Sequence, residues 1–166
     1  VENQGTFIHV VIPFEIAEEP AVVQEMSELP KENLSGCRIL LAEDNELNRE
    51  IAAFLLKDEG ISVTEAEDGQ QAVECFLKMP EGYYDAVLMD IMMPVMDGYQ
   101  AARAIRGSGK KDAEMIPIIA MTANTFAEDK RKTMEAGMDA HLSKPLNVPE
   151  LMDTIRKFCA GKKMCQ

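Results

Sequence analysis

Three features of the chain predict an α/β fold, a parallel sheet with helices on both faces. From Gly36 onward, short apolar runs alternate with amphipathic segments of helical period in five successive units. The runs are apolar at consecutive positions rather than at every second one, as strands covered on both faces are. The length of 166 residues and 46% apolar content suffice for one full core with an appendage, but hardly for two ordinary domains.

RILLAE (Arg38 to Glu43) reads as the first buried strand, and Leu47, Ile51, Phe54 and Leu55 then fall on one face of a helix that ends at Gly60. SVTEA supplies the second strand, with Val73, Phe76 and Leu77 as the apolar positions of its helix. YDAVLMD is the third strand, and a helix from Gly98 to Arg106 follows it. IPIIAMT with a helix from about Phe126 to Ala136 makes the fourth unit. DAHLSK with a helix carrying Val148, Leu151, Ile155 and Phe158 makes the fifth. Right-handed crossovers between parallel strands then put helices on both faces of the sheet.

The segment before Gly36 differs in kind. Thr6 to Phe14, TFIHVVIPF, is β-branched and aromatic and reads as one strand closed by Pro13, with His9 alternating inside it. Residues 15–36 hold six glutamates, one lysine and two prolines without sustained periodicity, a linker composition in which Ala21 to Leu29 could form a short helix. The expected organisation is a strand-like tail at 1–14, an acidic linker at 15–36, a globular domain at 37–160 and a short tail at 161–166.

Acids outnumber bases by 29 to 17, a net charge of -12 that disfavours nucleic acid or an anionic membrane as direct partner and suits a binder of cations. Cys37, Cys75, Cys159 and Cys165 form no CxxC pair, and Cys75 lies among helix-patterned apolar residues, as a reduced thiol would in a cytosolic protein. No run is long enough to span a bilayer. The chain begins at Val1 and reads as a piece of a longer protein.

Open parallel sheets bind ligands at the carboxyl ends of their strands, near the point where strand order reverses. At those ends stand Glu43 and Asp44 after the first strand, Asp90 after the third, Thr122 after the fourth, and Lys144 with Pro145 after the fifth. Carboxylates gathered this way repel one another unless a cation sits among them. All-oxygen donors without a nearby Cys or His in the pattern suit Mg2+, with Mn2+ as a substitute, better than zinc. Asp90 is then a nucleophile: a carboxylate attacks a phosphoryl group, while the metal, Lys144 and Thr122 neutralise its outer oxygens. Asp44 and Asn45 can also act as helix caps, Asp97 and Gly98 read as turn and cap, and the twelve methionines as adaptable packing.

LLAEDNELNR, LMDIMMPVMDG, IAMTAN and HLSKPL, in this order and spacing, resemble the receiver (response-regulator) domain of two-component phosphorelays from about Cys37 to Cys159. The resemblance implies the flavodoxin-like strand order 2-1-3-4-5. It also implies Asp90 as phosphoacceptor, Glu43 and Asp44 as the metal-holding acids, Met92 as a backbone-carbonyl ligand, and Thr122 and Lys144 as phosphate sensors. His141 matches the switch position whose side chain reorients on phosphorylation, altering the face of the fourth helix, fifth strand and fifth helix, and the Lys144–Pro145 bond is cis in the family. Implied partners are a phosphohistidine-bearing kinase or histidine phosphotransfer domain and a downstream relay protein. GTFIHVVIPF, Gly5 to Phe14, resembles the last strand of a histidine-kinase ATP-binding domain, which would make the parent a hybrid sensor histidine kinase. The fragment carries none of that domain's nucleotide-binding motifs, so neither ATP binding nor autophosphorylation is expected of it; any membrane attachment would come through the parent.

Other readings meet specific difficulties. A stand-alone response regulator would carry the same motifs and is the alternative. A haloacid-dehalogenase-like phosphatase needs a second acid two residues after the nucleophile, where this chain has Met92. A flavodoxin-like nucleotide binder needs a hydroxyl-rich or glycine-rich phosphate loop where Glu43, Asp44 and Asn45 stand. A purely structural module leaves the acidic cluster without a reason.

Overall fold

The computed structural model describes residues 34–123 and 127–159, with residues 127–130 given as helix without their side chains. The expected strand at 6–14, nearly all of the linker and the tail at 161–166 lie outside the described residues. Within them, strands and helices alternate as β1 (Arg38–Ala42), α1 (Glu46–Asp58), β2 (Ser62–Ala66), α2 (Gly69–Lys78), β3 (Ala86–Asp90), α3 (Gly98–Arg106), β4 (Ile118–Thr122), α4 (Ala127–Glu135), β5 (Ala140–Ser143) and α5 (Val148–Cys159). The five strands pair in parallel in the order β2-β1-β3-β4-β5. Order reverses between β1 and β3, so their carboxyl ends flank a crevice.

The pleat divides the core in two. Leu40, Ala42, Val87, Met89, Ile118 and Ala120 face one way, against α2 and α3 through Phe76, Ala101 and Ile105. Ile39, Leu41, Ala86, Leu88, Ile119 and Met121 face the other, against α1 and α5 through Ala52, Leu56, Leu151 and Ile155. All five residues of β3 and of β4 are buried. The outer strand β2 is different, with Ser62 and Glu65 exposed, because it has a neighbour on one side only.

The turns that leave β1, β2 and β3 share a device. Asn45, Asp68 and Asp97 each accept a hydrogen bond from the backbone N–H three residues on, capping α1, α2 and α3. Such caps contribute about 1 kcal/mol each and fix where each helix begins over the crevice. At the opposite pole, Arg106 donates to the carbonyls of Ala113, Ile116 and Gly137 and pairs with Asp139 at 2.8 Å. Asp139 Oδ2 also accepts the Ile118 amide at the start of β4.

One expectation needs correction. Leu47, Ile51 and Phe54, which define an apolar stripe on α1, are 64%, 50% and 69% exposed, and Ala52, Ala53 and Leu56 enter the core instead. Small alanines let the helix lie close on the sheet, and their weak hydropathy hides the inward face behind the larger residues beside it. Leu56→Ala is therefore expected to cost about 2–5 kcal/mol in urea unfolding, and Phe54→Ala within about 0.5 kcal/mol. The reverse ordering would show that the helix packs by its other face.

Candidate functional site

Glu43 follows the last residue of β1, and its amide bonds to the Ala66 carbonyl, which carries the backbone to the crevice floor. Its side chain is only 3% exposed. Oε1 accepts from Asn48 Nδ2 at 3.1 Å and Oε2 from Lys144 Nζ at 2.6 Å. Arg49 donates to the Glu43 carbonyl at 2.8 Å and reaches Glu65 and Glu67 at 3.8 and 3.5 Å, which holds the β1 turn from outside. Asp44 is exposed at the rim, and its neighbour Asn45, rather than Asp44, caps α1.

Asp90 ends β3 and is 4% exposed. Oδ1 accepts the Met92 amide at 3.2 Å, and Oδ2 lies 2.7 Å from Lys144 Nζ. Glu43, Asp44 and Asp90 each offer a carboxylate oxygen within 4.8 Å of the others. One ammonium thus meets two buried carboxylates, with a third at the entrance, and the group remains net negative. Burial alone would lower the Lys144 pKa, but hydrogen bonds and attraction from Asp90 and Glu43 outweigh it and hold the ammonium above its ordinary value.

Thr122 ends β4, is buried, and its carbonyl accepts the Lys144 amide at 2.8 Å. The Lys144–Pro145 peptide is cis, as the resemblance implies. His141 is half-buried on β5, paired in register with Ala120, two residues below the Thr122–Ser143 pair. Met92 adjoins Asp90 with its side chain 77% exposed, so any contribution to a metal would come from its backbone. The structure therefore brings Glu43, Asp44, Asp90 and Lys144 together, with Thr122 on the adjoining strand end, and sets His141 further down the sheet.

Sequence reasoning missed three supports. Asn48 and Arg49 follow the acidic pair by one helical turn in LLAEDNELNR, and that spacing is the only signal the sequence offers that they reach back to Glu43. Gly98 is more than a turn residue, since a Cβ there would lie 2.2 Å from the Asp90 carbonyl oxygen. Only glycine lets α3 start so near the acidic residue.

Hard oxygen donors, two of them buried and one open to water, fit a small divalent cation that keeps part of its hydration shell. The strand order and this acidic trio at the carboxyl ends define a flavodoxin-like α/β domain with a cation-attracting crevice. Residues 39–156 match the response regulator receiver domain, and the chain belongs to that family. It is a receiver domain of the two-component phosphorelay, and hybrid histidine kinases are among its relatives.

Hybrid signal transduction histidine kinase L of Dictyostelium discoideum is 35% identical over 149 residues, 89% of this chain and 9% of that protein. The chain thus spans less than a tenth of that relative. The receiver domain of a Pseudomonas aeruginosa sensor histidine kinase, solved with a magnesium ion coordinated in its active site cleft, is 38% identical, with TM-score 0.68 over 76% of this chain and 99% of that one. The co-crystal structure of the Saccharomyces cerevisiae histidine phosphotransfer protein Ypd1 with the receiver domain of its downstream response regulator Ssk1 matches at 30% identity and TM-score 0.69, covering 76% of this chain and 90% of that one.

The Lys144 pair sets a pH dependence. A cation whose folded pKa is raised contributes stability that is complete below the unfolded value, about 10.4 for lysine, and is lost as pH rises through the folded value. Lys144→Met is expected to lower unfolding free energy at pH 7 by about 1.5–3 kcal/mol. The gap to wild type should narrow above roughly pH 10.4. A gap that stays constant into that range would mean the ammonium does not carry the effect.

Proposed function

We propose that this domain accepts a phosphoryl group on Asp90 from a phosphohistidine, in a Mg2+-dependent step, within a longer hybrid sensor histidine kinase. The observation that carries the reading is Lys144 Nζ, 2.7 Å from Asp90 and 2.6 Å from Glu43, beside carboxylate oxygens gathered within 4.8 Å. An isolated surface carboxylate needs no such arrangement; one that receives a negatively charged group does.

Asp90 Oδ attacks phosphorus, the phosphorus–nitrogen bond breaks, and its electron pair stays on the departing imidazole, which takes up a proton. Glu43, Asp44, Asp90 and the Met92 carbonyl are the residues that would hold Mg2+, which when bound supplies positive charge against the phosphoryl oxygens. Lys144 exchanges part of its contact with Asp90 for a phosphoryl oxygen. Thr122, on the adjoining strand end, donates its hydroxyl to the same group, and His141 takes the space this vacates, biasing the α4-β5-α5 face.

The exposed stripe on α1 gives the donor a place to dock. Ile51 and Asn48 line a cavity of about 160 Å3 together with Glu43, Lys144, Pro145 and Leu146. Leu47 and Phe54, exposed one turn before and one turn after Ile51 on the same helix, add apolar surface outside this cavity. A phosphohistidine delivered to Asp90 arrives beside this apolar wall, and a histidine phosphotransfer protein is the kind of partner with which the similar yeast receiver was co-crystallised. Residues 1–14 are proposed as the end of an ATP-binding domain, 15–36 as its linker, 37–160 as the receiver and 161–166 as a tail, in a cytoplasmic setting. Among the described residues, no helix is long and apolar enough to cross a membrane.

Asp90→Ala is expected to abolish labelling by acetyl phosphate and by a phosphohistidine donor while the fold persists; undiminished phosphate on that variant by mass spectrometry would refute the assignment. Mg2+ should raise the melting temperature of the wild type and much less that of Asp44→Asn. Equal rises would move the metal elsewhere. Phe54→Glu should slow transfer from the protein donor at least tenfold and leave acetyl phosphate labelling unchanged, since a small donor needs no docking wall; equal slowing of both would argue against docking there.

A further inference from the structure

The β3–α3 loop, Ile91 to Asp97, carries Met92, and its conformation decides where the Met92 backbone stands relative to Asp90. Within the loop the contacts are few. The Met92 amide bonds to Asp90 Oδ1, the Gly98 amide to the Ile91 carbonyl at 3.0 Å, and the Met96 amide to the Pro94 carbonyl at 2.6 Å across Val95. Val95 sits at φ 64°, where a β-branched residue is strained and would relax if released. Something outside the loop holds it there.

That support comes from α2. Gly69, the first residue of the helix, donates its N–H to the Met96 carbonyl at 3.1 Å. The approach is so close that a Cβ on Gly69 would lie 2.4 Å from that carbonyl oxygen and 3.0 Å from the Ala101 Cβ. The first obstacle is backbone and has no rotamer by which to move aside. Asp68, which caps the helix through the Gln71 amide, fixes the position of Gly69 from the other side. The Met96 side chain is partly buried against the α2–α3 core, so a hydrogen bond and packing together hold the far half of the loop, while the Ile91 amide on the Met121 carbonyl and the buried Ile91 and Met93 hold the half nearer Asp90.

We infer that Gly69 is a positioning residue for the metal site: the first turn of α2 clamps the loop at Met96 and thereby sets Met92 and Asp90 for Mg2+. The inference rests on the Mg2+ reading of the acidic group. Outer contacts that orient metal ligands are worth 10–100-fold in affinity. By reciprocity, the metal must tighten the Gly69–Met96 contact as much as that contact favours the metal.

Gly69→Ala tests this. Alanine is the better helix former, so α2 itself is not weakened by the change. Mg2+ affinity, read from amide spectra during titration, is expected to fall at least tenfold, while Gln70→Ala on the exposed side of the same turn binds as wild type. Phosphorylation of Gly69→Ala by acetyl phosphate should be slow at low Mg2+ and recover at saturating Mg2+. A lowered melting temperature with unchanged Mg2+ affinity would make Gly69 merely structural and overturn the inference. If the variant does not fold, the wild type decides: Mg2+ should slow exchange of the Gly69 amide more than that of Ala72, which bonds to the Asp68 carbonyl within the helix. Equal changes at both, or none, would overturn it too. Absence of any Mg2+ response in the wild type would bring down the functional reading, and this inference with it.

Discussion

Two buried carboxylates share one ammonium, and the domain is organised around that necessity. Glu43 and Asp90 would be costly to bury ionised without Lys144, and Lys144 would be costly to bury without them. Lys144 lies 101 residues from Glu43 in sequence. Bringing them within hydrogen-bonding distance requires β1, β3 and β5 in one sheet, all pointing the same way, with β3 and β4 correctly interposed. The doubly wound topology is what makes carboxyl ends from distant parts of the chain meet. The same pairing leaves the crevice net negative, so the arrangement that stabilises the apo domain also keeps it receptive to a divalent cation.

Much of this was legible in the sequence because strand ends are legible. The apolar runs stop at Ala42, Asp90 and Thr122, and the polar residues next to those stops are the ones that meet. Caps were partly legible: Asp97 behaves as a turn and cap residue should, while of the two candidates before α1 it is Asn45 that caps, leaving Asp44 free to face the crevice. The strand order itself came from family resemblance, since periodicity says which segments are strands and not which are neighbours.

What could not be read has physical reasons. Two faces of α1 are apolar, and hydropathy cannot tell which is turned inward when the inner one is made of Ala52 and Ala53. The outer one, Leu47, Ile51 and Phe54, is larger and more hydrophobic than the core requires at that position, and this excess is itself informative once the sheet is in place. The close approaches at Gly69 and Gly98 were equally hidden. A glycine in sequence signals freedom of φ, yet neither position has a positive φ; both are glycine because another backbone passes within van der Waals distance of where a Cβ would be.

The guanidinium of Arg106 gives the molecule a second pole of opposite character. It fastens three carbonyls and Asp139, and through Asp139 the first amide of β4, at the amino ends of the strands. Those bonds are made within the chain, although the Asp139 carboxylate stays in contact with water. The carboxyl ends, by contrast, complete their electrostatics with whatever cation or anion the medium supplies. Changes in ionic composition therefore act more strongly on one rim of the sheet than on the other, where the three carbonyl contacts of Arg106 do not depend on a dissolved ion, and the domain behaves as a lever with a fixed fulcrum: chemistry varies at one end while the other keeps the strands in register.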